Sequence, residues 1–288
     1  MFVELVRTKT SDGLRLDGSL ALPTSDAVPL PVDAVILLHG VGGSFFGGSM
    51  FDALSIPFLE RGAAVLRVNT RGYGSINMIA TDGGPTRGGA AFETVDHCRH
   101  DINAWLQFLV AHGFRRIGLL GHSLGAIKAV YAAAHETLEE VVCIIAASPP
   151  RLSCSAFQNG PRSADYFKSM SAAKQLMKEG RPEALITAKF PFPLMISAAG
   201  YIDKYGDERY NILKFVDQIC LPTLFTYGSI ELEQGGIAFA GLPDAIRGAL
   251  ADHAPVDCRT IPDADHFYSG KYDELGRAIL DWLPVIEA

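Results

Sequence analysis

The chemistry in this chain starts at Ser123, set in Ile117-Gly118-Leu119-Leu120-Gly121-His122-Ser123-Leu124-Gly125. A serine hydroxyl is a poor nucleophile near neutral pH. It needs a base within hydrogen-bond reach, and that base must be held by a third group. The surroundings suit such a role. The apolar run Ile117 to Leu120 reads as a buried strand, and the run Ala126 to Ala134 reads as a packed helix. A serine on so tight a strand-to-helix turn has a strained backbone, and glycines two before and two after it avoid collision. Its Oγ then stands clear of the sheet, facing the N–H groups that open the helix, which suit an oxyanion. The competing reading is a surface serine in an ordinary connection, and Gly-x-Ser-x-Gly alone does not exclude it.

The elements that must position Ser123 alternate along the chain. Residues 2–8 and 14–21 flank the turn signal Ser11-Asp12-Gly13 and read as an antiparallel hairpin. A polar, Pro-containing stretch runs through Pro31. Ala34-Val35-Ile36-Leu37-Leu38 is then continuously apolar, as expected of a strand covered on both faces, and ends in His39-Gly40-Val41-Gly42-Gly43. A helix over 50–61 containing Pro57 and the strand Ala64 to Val68 follow. Residues 69–92 are Gly-rich and poorly periodic, which predicts a functional loop or lid edge. A helix over 93–112 puts Val95, Cys98, Ile102, Trp105, Leu106 and Leu109 on one face.

Beyond Ser123 come a strand from Val141 to Ala147, a strand from Pro222 to Tyr227, and a helix near 242–252 closed by His253. A strand from Val256 to Ile261 precedes a C-terminal helix with Leu275, Ala278, Ile279, Trp282, Leu283 and Ile286 at helical spacing. This alternation predicts a mostly parallel sheet with helices on both faces. Sites in such sheets lie at the carboxyl ends of the strands.

Strand, Gly-x-Ser-x-Gly and helix together resemble the nucleophile elbow of the α/β-hydrolase superfamily, serine-esterase type. The resemblance extends over nearly the whole chain. It implies an α/β fold with a mostly parallel eight-stranded sheet, and catalytic partners in the order serine, acid, histidine. Of eight histidines, His266 resembles the family's base, in a loop after the last strand and before the final helix. His97, His100, His112 and His135 belong to helices, and His39 and His122 flank glycines that they brace. The acid is expected after the seventh strand, in Gly228-Ser229-Ile230-Glu231-Leu232-Glu233. Glu231 takes the position where the family usually has aspartate, and Glu233 competes with it. Asp203 or Asp207 would need the preceding segment to fold inward. After the sixth strand, Ala147-Ser148-Pro149-Pro150 offers no carboxylate before Asp165. The oxyanion donors implied are the Leu124 N–H and one from the His39–Gly43 loop, Val41 first and Gly42 as the alternative. A phosphate cradle is the other reading of that loop. It lacks the Gly-Lys-Ser/Thr ending, and Phe45 replaces the third glycine of Gly-x-Gly-x-x-Gly.

The core is read as residues 1–150 and 220–288, with a helical cap over 151–219 between strands six and seven. Ser163 to Glu179 and Arg181 to Lys189 have helical character. Phe190-Pro191-Phe192-Pro193-Leu194-Met195, with Phe45, Phe46 and Met50, either lines an acyl or aromatic pocket or joins cap to core. Gly42 and His122 border the same space. Arg71 and Arg87 are solvated loop charges or contacts for an anionic substrate. Asn69-Thr70-Arg71-Gly72-Tyr73-Gly74 resembles the family's loop after the fourth strand. The segments Tyr201 to Gly206 and Ile219 to Leu224 look like the siderophore-esterase branch.

Composition narrows the alternatives. A net charge of -7 with no basic cluster argues against nucleic acid. No uncharged apolar run approaches ~18 residues, so no membrane span is expected. The N-terminus enters a strand pattern without a leader, and five scattered cysteines without CxxC spacing point to a reducing cytoplasm and no structural zinc. The reading is a serine hydrolase of a small-molecule ester or lactone, without metal or cofactor, its oligomeric state open. A thioesterase, amidase or carbon–carbon hydrolase would use the same triad. A non-catalytic binding member of the fold is the alternative of a different class.

Overall fold

A computed structural model describes residues 2–23, 30–250 and 255–284. Its eight-stranded sheet comprises β1 (Glu4–Lys9), β2 (Arg15–Ala21), β3 (Ala34–Leu38), β4 (Ala64–Val68), β5 (Ile117–His122), β6 (Val141–Ala147), β7 (Thr223–Gly228) and β8 (Val256–Ile261). The spatial order is β1-β2-β4-β3-β5-β6-β7-β8. β2 is antiparallel to both β1 and β4, and every other neighbouring pair is parallel. This is the α/β-hydrolase fold.

The continuous apolar runs are explained by what covers each face. In β3, Ala34, Ile36 and Leu38 enter one core with Ile102, Trp105 and Ile127. Val35 and Leu37 enter the other with Phe51, Leu54, Phe58, Ile279 and Trp282. A strand alternates its side chains between faces, so a sequence apolar at every position is one buried twice. The covering helices are α1 (Ser49–Glu60), α2 (Cys98–Ala111), α3 (Leu124–His135) and, near the C-terminus, α9 (Tyr272–Trp282).

Between β6 and β7 lie α4 (Cys154–Asn159), α5 (Ser163–Lys178), an antiparallel hairpin (Leu185–Ala188 with Leu194–Ser197) and α6 (Ala198–Tyr205). The expectation of helix from Arg181 to Lys189, and hence of a wholly helical cap, is corrected. Leu185 to Ala188 pair with Leu194 to Ser197, and a partner strand outweighs local propensity. The segment is fixed internally by Phe157, Tyr166 and Phe190, whose ring centroids are 4.9–6.0 Å apart. After β7 come α7 (Ser229–Gln234) and α8 (Leu242–Ala249).

The loop over 69–92 carries a small hairpin, Asn77–Ile79 with Thr86–Gly88. Arg71 is neither a solvated charge nor a substrate contact. It is buried, 2.8 Å from Asp101 and 2.8 Å from Asp12, and so fastens the loop to α2 and to the β1–β2 turn. Arg87 is exposed and paired with Glu183 at 2.9 Å. His253, Ile286 and part of the polar stretch through Pro31 lie outside the described residues. Among the described residues no helix is long and apolar enough to cross a membrane. The five cysteines are free thiols.

Candidate active site

Ser123 sits where β5 ends and α3 begins, with φ 57 and ψ -121. A non-glycine residue holds such a conformation only where its surroundings impose it. The glycines explain how. A Cβ on Gly121 would lie 2.2 Å from Gly125 O, and one on Gly125 would lie 2.1 Å from Leu38 O. The turn is packed backbone against backbone, and no side chain fits.

His266 and Glu231 converge on this serine from the other strand ends. His266 Nε2 is 3.0 Å from Ser123 Oγ, and its Nδ1 is bonded to Glu231 Oε1. Glu231 is the third residue of α7, and its Oε2 accepts the Gly228 N–H at 3.2 Å. This is half of a capping box, since Gly228 has no side chain to return the bond. The reach explains glutamate here: it folds back to its own helix start and still meets the imidazole. Gly228 must be glycine, because a Cβ would come within 2.2 Å of Ala264 O in the histidine loop. That loop is braced by Asp265 Oδ1, which accepts the N–H groups of Phe267 and Ser269 at 2.9 Å each.

The competing acids go elsewhere. Glu233 is exposed. Asp203 accepts the Val95 N–H at 2.8 Å, Asp207 pairs with Arg209, and Asp165 with Arg162.

Gly40 packs so closely that a Cβ there would be 3.1 Å from Ser123 Cβ, which puts the His39–Gly43 loop beside Ser123. Val41, Gly42 and Leu124 all border the space over Ser123. Leu124 opens α3, where an N–H has no partner four residues back. His39 braces the loop. Its Nε2 accepts the Thr70 N–H at 3.2 Å, so Nδ1 carries the proton and donates to Gly40 O at 2.8 Å. Burial, helped by the Lys128 charge, lowers its pKa to about 4 and keeps the ring neutral. His122 is also neutral, lowered to about 4 by burial and then by His266, and its Nε2–H donates to His266 O at 2.8 Å.

Above Ser123 opens a cavity of about 710 Å³, walled by Leu152, Phe157, Phe192, Tyr205, Phe239 and Phe267 among others. Met50, Gly42 and His122 border it as expected. Phe45 and Phe46 do not. Phe45 turns its ring against Phe46, which is 74% exposed, while the Phe45 N–H is held by Asn69. The apolar segment of the insertion divides: Phe190 is buried glue, Pro191 and Phe192 face the cavity, and Met195 is exposed. No residue of 69–92 lines the cavity, so that loop is not its lid edge.

Two groups of residues carried no sequence signal. Ser148, at the carboxyl end of β6, donates to Glu231 Oε2 at 2.7 Å and neighbours the Tyr268 hydroxyl at 2.9 Å. Glu93, Lys128 and Lys204 form a buried cluster that reaches the cavity at Lys204, with Glu93 paired with Lys128 at 2.6 Å and with Lys204 at 3.0 Å. A strand-end position was the only hint for Ser148, and Lys128 lies inside the run that reads as a packed helix.

Three solved structures share this architecture. Est1E from Butyrivibrio proteoclasticus, with ferulic acid bound, is 18% identical with TM-score 0.65, covering 96% of both chains. The Pyrococcus furiosus esterase Pf2001 is 19% identical with TM-score 0.63, covering 98% of this chain and 91% of its own. The esterase domain of a Rhodothermus marinus protein is 19% identical with TM-score 0.61, covering 98% of each. None of the three is described as a siderophore esterase, and the likeness at Tyr201 to Gly206 is carried no further. No curated protein matches the chain. Residues 35–278 match the model of the alpha/beta hydrolase family, from β3 through most of α9, and the chain belongs to that family.

Proposed function

We propose that the protein is a serine hydrolase of carboxylic esters with an apolar or aromatic acyl group. The observation that carries this reading is the line from Ser123 Oγ through the His266 ring to the Glu231 carboxylate. Ser123 attacks the ester carbonyl as His266 Nε2 takes its proton. Glu231 fixes the tautomer and stabilises the imidazolium. The Leu124 N–H and the Val41 N–H hold the oxyanion, with Gly42 as the loop's second donor candidate. His266 then returns the proton to the leaving alcohol, and water, activated by the same ring, releases the acyl group.

The cavity supports the acyl class. Five phenylalanines, two tyrosines and two leucines are among its lining residues, and they favour an uncharged hydrocarbon or aryl group over a charged one. The insertion over 151–219 acts in this reading as the cap that selects the substrate, since Leu152, Phe157, Phe192 and Tyr205 come from it. Five free thiols fit a reducing compartment such as the cytoplasm. A panel of aryl and alkyl esters, thioesters, lactones and amides tests the reading. Ester turnover by the wild type and its loss in Ser123→Ala support it. Turnover retained by Ser123→Ala overturns it.

A further inference from the structure

We propose that Ser148 and Tyr268 are positioning residues that hold Glu231 in place through a chain of hydroxyl groups. The proposal rests on the reading of Ser123, His266 and Glu231 as a catalytic triad. Glu231 turns Oε1 to His266 and Oε2 away from it, to Ser148 Oγ at 2.7 Å. Ser148 Oγ is 2.9 Å from the Tyr268 hydroxyl, which is 2.8 Å from Thr226 Oγ1. Ser148, Tyr268 and Thr226 are each 0% exposed.

The count of protons fixes the direction of the chain. A carboxylate only accepts, so the single O–H of Ser148 goes to Glu231. Ser148 then accepts from Tyr268, and Tyr268, its proton committed, accepts from Thr226. Every proton points toward the acid. Burial, with the Glu231 charge, pushes the Tyr268 phenol up, so it stays a donor. The chain joins three parts of the fold: Ser148 follows β6, Thr226 is in β7, and Tyr268 lies two residues beyond His266 in the loop after β8. Ser148 and Tyr268 hold φ of 51 and 53, a region that non-glycine residues leave unless fixed by their surroundings. The arrangement therefore sets the acid against the base as one unit.

The test compares Ser148→Ala, Tyr268→Phe and Glu231→Ala in ester hydrolysis across pH. Without the Ser148 hydroxyl, Glu231 loses a charge-assisted donor and becomes a stronger acceptor toward the imidazolium. We expect the acidic limb of kcat/KM to move to higher pH and kcat to fall roughly tenfold, with KM little changed. Tyr268→Phe, which removes the next hydroxyl of the chain, should give a smaller displacement in the same direction. A Ser148→Ala enzyme with wild-type kcat and pH profile overturns the proposal. So does one that is merely less stable with an unmoved limb. Glu231→Ala separates the two levels. If it is inactive while Ser148→Ala is unaffected, only the hydroxyl chain fails; if it is fully active, the triad reading fails as well.

Discussion

His122 Nε2 lies 2.8 Å from the carbonyl oxygen of His266, so the residue just before Ser123 grips the backbone of His266. The two residues are 144 positions apart in sequence, and their rings approach to 4.9 Å. The bond sets the distance between Ser123 and His266 from the backbone side, independently of the bond between their side chains. His122→Ala leaves a carbonyl unpaired beside the reacting groups, at a cost of about 1–3 kcal/mol. In the proposed mechanism this appears as a fall in kcat of roughly tenfold or more with KM nearly constant, measured by steady-state hydrolysis.

The elbow glycines are a second test, of packing. Gly125→Ala sets a methyl group 2.1 Å from Leu38 O, a contact that backbone cannot yield to cheaply. The expected loss is at least about 1–3 kcal/mol of stability, with displacement of Ser123 and loss of most activity. Denaturant unfolding and ester hydrolysis on the same preparation measure both.

The buried Glu93 cluster makes a prediction about pH. Burial alone would raise the Glu93 carboxyl, but Lys128 and Lys204 outweigh it and hold it down to about 2. A carboxyl lowered on folding contributes stability that is present above its ordinary 4.5 and lost as pH falls toward about 2. Glu93→Gln leaves two ammonium groups without their carboxylate, for a loss of about 3–5 kcal/mol near neutral pH. The gap to wild type should narrow in acid. Chemical denaturation at pH 7 and at pH values below 4.5 checks the sign.

How far the sequence carried the site depends on where each residue's partners lie. Ser123 was legible because its demands are local: two glycines, a strand and a helix within nine residues. Glu231 and His266 followed from chain order, each at a strand end. Arg71 was misread because its partners, Asp101 and Asp12, lie 30 and 59 positions away and no local pattern announces them. Ser148 was passed over as lacking a carboxylate, when its hydroxyl is what meets one. The Leu185–Ala188 strand read as helix because its pairing with Leu194–Ser197 crosses a proline-rich turn. Phe45 and Phe46 were placed in the pocket by nearness in sequence, and the loop's fold turns them from it.

Selectivity is expected to reside in the cavity wall. Phe192 borders the cavity while 44% exposed, so removing its ring disturbs the core little. Phe192→Ala should raise KM for aryl or medium-chain esters several-fold, through lost apolar contact of about 25 cal/mol per Å². It should leave acetate esters nearly unchanged and shift Tm by at most a few degrees, as a panel of acyl lengths with thermal unfolding would register.

The central claim is that His266 makes Ser123 a nucleophile. A fluorophosphonate probe followed by peptide mapping tests it directly, since the probe bonds to an activated serine Oγ. We predict one modified site at Ser123 in the wild type, none in Ser123→Ala, and a large loss of labelling rate in His266→Ala. Equal labelling of wild type and Ser123→Ala, or a wild type that the probe leaves unmodified, would contradict the account.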